Sequence, residues 1–478
     1  MKPRIPAQPP RERALAPLEA TLEFWNYCAN LGEIWWARYG AIPAGDVAGA
    51  RLQALVRFAR AHSPYFHRLY AHLPASGVTL RDLPIVTKTE LMANFDGWAT
   101  DPLVRLAEVR RFLADRSRVG EAFQGRYRVW TSSGTTGTPG IFLQDSHALS
   151  VYEALVAAQF NADELVGRGP ARLAAGGGRA ALVSATGDHF ASVTFWERRR
   201  RDYPGIDSRS FSVLAPIREL VSQLNDYQPA YLASYPSVLA LLAVEREAGR
   251  LRISPAQLWS GGEFMADSTR DAIESAFECR VKNEYGSSEC LSMAHACREG
   301  WMHVNSEWVI LEGADKNGQP TKPGEVSHTV LVTNLANWLQ PIIRYDLGDR
   351  VVAHPTACAC GNPRPAFRVE GRKDDLVALR TSRGRTVRLA PLALSTAVEG
   401  AAGTRRFQIA QTAPEQLLVR LERESDHDDC QAAWRKTSKA LRAYLATQSL
   451  PNVRLALDRE PPRIDERSGK LRSVIVEL

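Results

Sequence analysis

The feature that most constrains this chain is a ten-residue loop of small side chains at 131–140, with the sequence TSSGTTGTPG. It follows the stretch RYRVW, in which polar and apolar residues alternate as they do in a β-strand. Glycines let the backbone approach a ligand closely, and successive N–H groups and hydroxyls can line a concave anion site. The loop lacks the Gly-Lys-Ser/Thr ending of the common P-loop. We therefore expect a phosphate-binding loop of another type, rather than a surface linker.

Strand and helix patterns alternate after this loop. The stretches RAALVSAT, PAYLAS, AQLWSGG and RVKNEYG are short, apolar and bordered by Gly or Pro, which predicts strands. Helical patterns lie between them, and one of these begins at Pro236 and ends before Gly249. Such alternation predicts a mainly parallel sheet covered by helices, with ligands bound beyond the carboxyl ends of the strands.

The chain has 478 residues, which is more than one hydrophobic core ordinarily holds. Helical patterns dominate from Leu18 to Leu73, and the C-terminal stretch predicts a β-hairpin, a helix and a further strand. We therefore predict an α/β protein with a large N-terminal domain of several subdomains and parallel-type sheets. A small, mobile α/β domain follows it. The predicted limits are 1–370 for the large domain, 371–375 for a hinge and 376–478 for the small domain.

Composition predicts a soluble protein in the cytoplasm. No apolar stretch is long enough to span a bilayer, and the leader from Met1 to Arg13 has no apolar run. The net charge of +7 fits either attraction of polyanions or a mildly basic surface without a special partner. We expect no membrane or nucleic-acid partner, because no basic run is interleaved with aromatic residues. Seven scattered cysteines argue against a disulfide framework.

The loop at 131–140 resembles the phosphate-binding signature of the adenylate-forming ligases, which include the acyl- and aryl-CoA synthetases. Four other segments resemble further motifs of that family, in the same order along the chain. Three more segments resemble its phenylacetate–CoA ligase branch, at 83–95, 232–242 and 358–365. The four family motifs are Asn283-Glu284-Tyr285-Gly286-Ser287-Ser288-Glu289, Arg344-Tyr345-Asp346-Leu347-Gly348-Asp349, Gly371-Arg372-Lys373-Asp374-Asp375 and Ser468-Gly469-Lys470.

The resemblance implies the fold of that family and an AMP-forming acid–thiol ligase that uses ATP and Mg²⁺. Such an enzyme activates a small-molecule carboxylic acid, an aromatic one in this branch, as its acyl-adenylate and releases pyrophosphate. It then transfers the acyl group to coenzyme A. Two alternatives remain open, namely transfer to an amine or a carrier protein, and a nucleotide-binding homologue without catalysis. Members of the family are often dimeric, so a homodimer is expected on resemblance alone.

The resemblance also implies roles for individual residues. Lys470 would stabilise the charge that builds up on the phosphoryl oxygens, Glu289 would hold Mg²⁺, and Asp374 would be the hinge. Asp349, rather than Asp346, would bind the ribose. Tyr285 would stack on adenine, and Arg372 would reach the ribose or a phosphate. The complete ATP-binding set is Thr131, Ser132, Ser133, Gly134, Thr135, Thr136, Gly137, Glu284, Tyr285, Gly286, Ser287, Ser288, Asp349 and Arg372.

The sequence contains less information about the substrate pocket than about the ATP site. The segment at 186–190 follows a strand and resembles the part of the family that lines the acid pocket. We expect His189, Phe190, Tyr235 and Gly261 to line this pocket. For His189 a purely structural role is an equally open alternative.

Four residues could form a tetrahedral zinc site, namely Cys297, His303, Cys358 and Cys360. Such a site would be structural, because no coordination position is left open for chemistry. Cys290 and His295 are competing ligands. The alternative is a set of free thiols in a reducing compartment.

The sequence departs from the family pattern at two places. One concerns the positive charge at the phosphate loop, and the other concerns the molecule that accepts the acyl group. Many relatives have lysine at the end of the phosphate loop, where this chain has Gly140. The stretch LVALRTSRGRTVRL, which follows the predicted hinge, differs from the glycine-containing loop that meets coenzyme A in the family. The second departure affects the prediction that coenzyme A is the acceptor more than the prediction that the acid is adenylated.

Overall fold

The computed structural model describes residues 25–36, 44–132, 139–159, 177–202, 205, 207–263, 265, 267–370, 377–389, 393–394, 397–398, 407–421, 427–463 and 473–477. Within these ranges, no helix combines the length and the apolar character needed to cross a membrane. The domain limits and the hinge stay predictions, because 371–376 lies outside the described residues. Also outside them are Ser133, Gly134, Thr135, Thr136, Gly137, Arg372, Asp374 and Lys470.

The described strands and helices are numbered here in chain order. The strands are β1 Arg128–Thr131, β2 Ile141–Gln144, β3 Ala180–Ser184, β4 Ser208–Ser212, β5 Tyr231–Ser234, β6 Gln257–Gly261, β7 Val281–Tyr285, β8 Ala294–Ala296, β9 Met302–Val304, β10 Val309–Ala314, β11 Thr329–Asn334, β12 Ile342–Asp346, β13 Arg350–Ala353, β14 Ala366–Glu370, β15 Val377–Arg380, β16 Thr386–Leu389, β17 Phe407–Ala413, β18 Gln416–Leu421, β19 Arg454–Leu457 and β20 Val474–Val476. The helices are α1 25–36, α2 Ala44–His62, α3 Pro64–Leu69, α4 Lys88–Ala93, α5 Phe95–Trp98, α6 Leu106–Ala114, α7 Ser146–Ala157, α8 Ala191–Asp202, α9 Ile217–Tyr227, α10 Pro236–Glu247, α11 Asp267–Phe277 and α12 His427–Thr447.

The largest sheet in the described part of the chain has nine strands in the order β13-β14-β9-β8-β7-β6-β5-β3-β4. The five strands from β4 to β7 are parallel, and helices connect most of them. The other four strands are antiparallel. The chain reverses directly after β7, without a crossover helix, and only an antiparallel partner can follow such a short turn.

The predicted strands and the predicted parallel arrangement are confirmed for β3, β5, β6 and β7. Their carboxyl ends meet at one edge of the sheet, as parallel strands require. The segments that follow these ends are 185–190, 235–236, 262–263 and 286–289. This edge therefore gathers most of the predicted site residues that the structure describes.

The strand before the phosphate loop belongs to a separate hairpin. β1 pairs with β2 in antiparallel register, with Thr131 opposite Ile141. The hairpin packs into a core of buried aromatic side chains that includes Trp98, Trp130 and Phe142. β10, β11 and β12 form a further antiparallel sheet against the same core.

Helices at the N-terminal side confirm the predicted helical pattern, with one refinement. Ser63 and Pro64 interrupt this pattern, and the structure begins α3 there. The hydroxyl of Ser63 accepts from the backbone N–H of Phe66 at 3.3 Å, and Pro64 occupies the first helical turn. A new helix thus begins here, because Ser at the N-cap followed by Pro is a favoured start.

The C-terminal strands form the predicted hairpin. β17 and β18 are antiparallel, β19 pairs with β18, and β20 pairs with β17, both in parallel. Arg420 on β18 bonds with Asp458 at 2.8 Å and with Glu477 at 3.0 Å, which links the ends of this unit.

Candidate active site

The base of the phosphate loop is closed by hydrogen bonds between its two ends. Ser132 N–H donates to the Gly140 carbonyl at 2.9 Å, and Gly140 N–H donates to Ser132 Oγ at 2.8 Å. Thr131 N–H donates to the His189 carbonyl at 2.7 Å, which fixes the hairpin to the sheet edge. The loop therefore leaves and returns at one point beside the carboxyl end of β3.

Gly140 cannot be replaced by lysine without a rearrangement. A Cβ atom at this position would collide with the ring of Phe142, which is buried in the core. Packing against Phe142 thus disfavours any side chain at position 140, lysine included.

Tyr285 and Asp349 meet, although 64 positions separate them in the sequence. The hydroxyl of Tyr285 donates to Asp349 Oδ2 at 2.8 Å. The Tyr285 ring packs edge-on against Phe367, with 5.4 Å between ring centroids. The two residues implied for adenine and ribose therefore lie side by side at the end of β7.

The carboxylate of Asp346 forms hydrogen bonds that stabilise its own turn. Its carboxylate accepts from the backbone N–H of Gly348 at 2.9 Å and from the Thr329 hydroxyl. These bonds close the turn after β12. Asp346 is thus engaged within its own turn, whereas Asp349 contacts Tyr285.

Glu289 is held rigidly below the same edge. Its side chain is buried, and Oε1 accepts from the Tyr345 hydroxyl at 2.7 Å. Burial and the charge of Glu289 together raise the pKa of Tyr345, so this phenol stays a donor. The indole N–H of Trp130, just before the phosphate loop, donates to the Ser288 carbonyl at 2.8 Å. A hard carboxylate oxygen next to a phosphate loop fits the ligand preference of Mg²⁺.

Lys88 is a residue that sequence reasoning missed. It begins α4 and lies close enough to Glu289 for the two charges to interact. Burial lowers the pKa of Lys88, and Glu289 partly offsets this effect. The only signal in the sequence is its position in the segment 83–95, which resembles the phenylacetate–CoA ligase branch.

Gly286 allows the tight turn that carries the motif. A Cβ atom at this position would collide with the carbonyl oxygen of Leu291. Ser287 N–H donates to the Cys290 carbonyl at 2.9 Å, and Cys290 N–H donates to Ser287 Oγ at 3.3 Å. The turn connects the end of β7 to Glu289, and the close approach of Leu291 explains why position 286 is glycine.

His189 has the contacts of a structural residue. It is fully buried, its Nε2 lies 3.1 Å from the Asp115 carbonyl, and its ring lies 5.5 Å from Phe112. Burial lowers its pKa, so the neutral ring donates to that carbonyl. These contacts favour the structural alternative for His189, whose carbonyl also anchors the phosphate loop.

The other expected pocket residues border the sheet edge. Burial raises the pKa of the Tyr235 hydroxyl, so this phenol stays protonated. Phe190 packs against the apolar cluster around Trp259. Gly261 is the register partner of Glu284 on the neighbouring strand.

Glu284 does not lie with Tyr285. Successive side chains on a strand point to opposite faces, so the two residues of β7 are separated by the sheet. Trp259 Nε1–H donates to Glu284 Oε2 at 3.0 Å. Burial raises the pKa of Glu284 to about 7. The ATP-binding role implied for this side chain therefore has no support in the geometry.

A cavity of about 500 Å³ opens beside Thr186 and Gly187. Arg116, Arg200 and Arg201 line it. Each guanidinium lies 2.7–3.9 Å from a carboxylate oxygen, so the positive charge of the cavity is largely balanced.

The predicted cysteine and histidine ligands converge. The ligand atoms of Cys297, His303, Cys358 and Cys360 all lie within 4.8 Å of one another. Cys297 Sγ and Cys358 Sγ are 3.8 Å apart, and Cys360 Sγ is 3.2 Å from His303 Nε2. Thiolates bound to zinc at about 2.3 Å in a tetrahedron are separated by about 3.8 Å.

The surroundings of this cluster orient it for a metal. His303 Nδ1 lies 3.1 Å from the Arg364 carbonyl, which leaves Nε2 directed at the sulfurs. The backbone N–H of Asn362 donates to Cys360 Sγ at 3.4 Å. The competing ligands lie elsewhere, since Cys290 is in the turn after Gly286 and His295 Nδ1 contacts Gln159 at 3.0 Å.

Known proteins similar to this chain include a phenylacetate-coenzyme A ligase and protein CapK. No family model matches the chain. It is 25% identical to the phenylacetate-coenzyme A ligase of Thermus thermophilus over 353 residues, which cover 69% of this chain and 70% of that protein. It is 21% identical to protein CapK of Staphylococcus aureus over 313 residues, which cover 64% of this chain and 62% of CapK, less than two thirds of its length.

Solved structures extend the similarity to the whole architecture. 2-Hydroxyisobutyryl-CoA ligase, in complex with 2-HIB-AMP and CoA, matches with a TM-score of 0.55 and 22% identity, over 92% of this chain and 90% of that one. The fold is that of the adenylate-forming ligases, as predicted. The 25% identity to a phenylacetate-coenzyme A ligase agrees with the branch that the sequence motifs resemble.

Proposed function

We propose that this protein is an AMP-forming acid–CoA ligase. The observation that carries the proposal is the convergence of three separate motifs at one sheet edge. Tyr285 bonds with Asp349, Tyr345 bonds with Glu289, and Trp130, just before the loop at 131–140, bonds with the Ser288 carbonyl. The similarity to a phenylacetate-coenzyme A ligase and to a CoA-ligase complex supports the same function.

In the proposed first step, a carboxylate oxygen of the acid attacks the α-phosphorus of ATP. The bond between the α- and β-phosphates breaks, and pyrophosphate leaves. The loop at 131–140 would hold the β- and γ-phosphates, while Tyr285 and Asp349 would hold adenosine. Lys470 would stabilise the charge on the α-phosphate. Mg²⁺, when bound at Glu289, would neutralise phosphate charge.

In the second step, the thiol of coenzyme A attacks the acyl carbonyl carbon. The bond to AMP breaks, and the thiol proton is released to solvent. A rotation of the small domain about Asp374 would move Lys470 away from the acyl-adenylate. The thiol of coenzyme A could then approach the acyl carbonyl carbon. Transfer to an amine or a carrier protein would use the same first step. Cytoplasmic location and a homodimer stay predictions from composition and resemblance.

The test is ATP-dependent pyrophosphate release with a panel of aromatic and aliphatic acids, each with and without coenzyme A. We expect release that depends on one class of acid and falls by at least about a hundredfold in Lys470→Ala. Acceleration by coenzyme A would identify the acceptor, while release without acceleration would favour an amine or a carrier protein. ATP binding without release from any acid would instead support a non-catalytic homologue.

Lys88 supplies a charge that the loop lacks at position 140. Replacing Lys88 by methionine keeps most of the buried side-chain volume and removes the ammonium group. We expect kcat/KM for ATP to fall about tenfold, because a charged contact near the phosphates is lost. Lys88→Arg keeps the charge and serves as the matched control. Equal losses in both variants, measured by pyrophosphate release, would contradict this role.

We infer in addition that Cys297, His303, Cys358 and Cys360 hold a structural zinc ion. Three sulfurs and one imidazole nitrogen at tetrahedral separations match the donor set that zinc prefers. All four positions are filled by the protein, so the ion would have no open site for chemistry. The cluster connects β9 with the turn before β14, the strand that leads to the predicted hinge.

A further inference from the structure

Arg344 on β12 has a backbone conformation that arginine rarely adopts. Its φ angle is +47°, in the left-handed region where the Cβ atom of an L-residue is crowded. The register between β11 and β12 shifts at this point, so that Ile343 and Arg344 together oppose Thr333 in a β-bulge. Glycine would suit this backbone better than arginine does. The side chain of Arg344 therefore has a task that glycine could not perform.

The guanidinium group of Arg344 holds two other segments against β12. It is buried, Nη1–H donates to the Leu83 carbonyl at 2.7 Å, and Nη2–H donates to the Gly318 carbonyl at 3.3 Å. Nε–H donates to Glu312 Oε2 at 3.2 Å, an ion pair that offsets the cost of burying the positive charge. Lysine has one nitrogen, which cannot reach all three acceptors from the same position. The guanidinium thus ties the segment before α4 and the turn around Gly318 to the same strand.

The backbone of Arg344 makes a second connection to the segment before α4. Val86 N–H donates to the Arg344 carbonyl at 3.1 Å, and Asp346 N–H donates to the Val86 carbonyl at 2.9 Å. These two bonds pair Val86 with Tyr345 in a parallel bridge. The bulge therefore turns the backbone of β12 so that it bonds with β11 on one side and with Val86 on the other.

The bridge at Val86 supports both Lys88 and Glu289. Tyr345, on the β12 side of the bridge, donates its hydroxyl to Glu289 Oε1 at 2.7 Å. Lys88 begins α4, two positions after Val86, and its charge interacts with that of Glu289. The attraction between two charges falls with distance and with the entry of water. The interaction of Lys88 with Glu289 therefore depends on how firmly the start of α4 is held on β12.

We propose that Arg344 is a positioning residue, which keeps Lys88 next to Glu289 by holding the start of α4 on β12. This inference rests on the proposed ligase function and on the role of Lys88 near the phosphates of ATP. The three side-chain hydrogen bonds of Arg344 all end on protein oxygens, so its effect on ATP passes through Lys88. Losses caused by changes at the two residues should therefore not add.

The experiment is a double-mutant cycle between Arg344→Lys and Lys88→Met. Arg344→Lys keeps the positive charge opposite Glu312 and cannot keep all three hydrogen bonds. For each variant, calorimetry gives the dissociation constant of a non-hydrolysable ATP analogue with and without Mg²⁺, and pyrophosphate release gives kcat/KM for ATP. We expect Arg344→Lys to weaken analogue binding and kcat/KM about threefold to tenfold.

The double variant decides between positioning and general stability. We expect it to match Lys88→Met within about a factor of two in both quantities. Losses that multiply would show that Arg344 acts independently of Lys88, and they would overturn the proposal. Analogue binding that is unchanged in Lys88→Met would overturn it as well.

Thr333 offers a second route to the same bulge if Arg344→Lys does not fold. The Arg344 N–H donates to the Thr333 hydroxyl at 2.9 Å. Thr333→Val removes this acceptor at nearly constant size, whereas Thr333→Ser retains it. We expect Thr333→Val to weaken analogue binding and Thr333→Ser to bind nearly as the wild type does. Equal binding by these two variants would contradict the proposal.

Arg198→Lys is the matched control for a buried arginine. Arg198 is buried on α8 and forms an ion pair with Glu153, so it takes no part in holding α4. Its replacement should lower the unfolding temperature and leave analogue binding unchanged, and an equal loss of binding would overturn the proposal. Because analogue binding needs no acid, the cycle still tests Arg344 if no acid gives pyrophosphate release, a result that would contradict the ligase function alone.

Discussion

Replacing Glu289 by glutamine is expected to lower the rate of acid-dependent pyrophosphate release by ~10²–10³-fold. The amide can still accept from the Tyr345 hydroxyl, which lies 2.7 Å from Glu289 Oε1. The fold around β7 should therefore remain intact. What is lost is the negative charge that would hold Mg²⁺ next to the phosphate loop. The measurement is initial rate at saturating ATP and acid, across a titration of MgCl₂.

The control for this variant is Glu325→Gln, which removes an exposed carboxylate far from β7 in the sequence. It should retain the wild-type rate and the wild-type MgCl₂ dependence. A Glu289→Gln enzyme within a factor of two of the wild type would contradict a magnesium role for this carboxylate. A fall in activity accompanied by a lower unfolding temperature would point to structural damage instead.

Replacing Cys360 by serine is expected to remove zinc and to lower the free energy of unfolding by on the order of 3–5 kcal/mol. Binding of a metal to preformed ligands is part of the folding free energy, so losing one thiolate weakens both. Cys360 Sγ lies 3.2 Å from His303 Nε2 at the centre of the cluster. The measurements are metal content by mass spectrometry and thermal unfolding with and without a chelator.

Cys279→Ser is the matched control, because Cys279 lies outside the cluster and contacts the Ala256 carbonyl at 3.4 Å. It should keep zinc and respond to the chelator as the wild type does. If the wild type purifies without metal and added zinc leaves its unfolding temperature unchanged, the cluster is a set of free thiols.

Local patterns in the sequence predicted most of the secondary structure that forms this site. The apolar runs at β3, β5, β6 and β7 are bordered by Gly or Pro, and these borders mark where each strand ends. The antiparallel strands β8 and β9 were not predicted. Each has three residues, which is too short for a periodic pattern to be recognised.

Sequence motifs did not predict the positions of two side chains, Glu284 and Lys88. Glu284 lies inside a motif that implies ATP binding, yet its side chain is on the opposite face from Tyr285. The alternation is visible in the sequence, but which face holds the nucleotide is decided by what packs on each side. Lys88 belongs to no sequence motif that indicates a function. Its proximity to Glu289 arises only when the chain folds.

The sequence by itself determined the order of the strands and helices, the turn at Gly286 and the residue types that could bind a nucleotide or zinc. These properties depend on local sterics, side-chain periodicity and donor chemistry, which short segments contain. Only the tertiary structure decided the pairs Tyr285–Asp349 and Tyr345–Glu289, the obstruction of Gly140 by Phe142 and the contact of Glu284 with Trp259. Each of these contacts results from packing between segments that are far apart in the chain. The sequence of a single segment does not determine how closely it packs against the others.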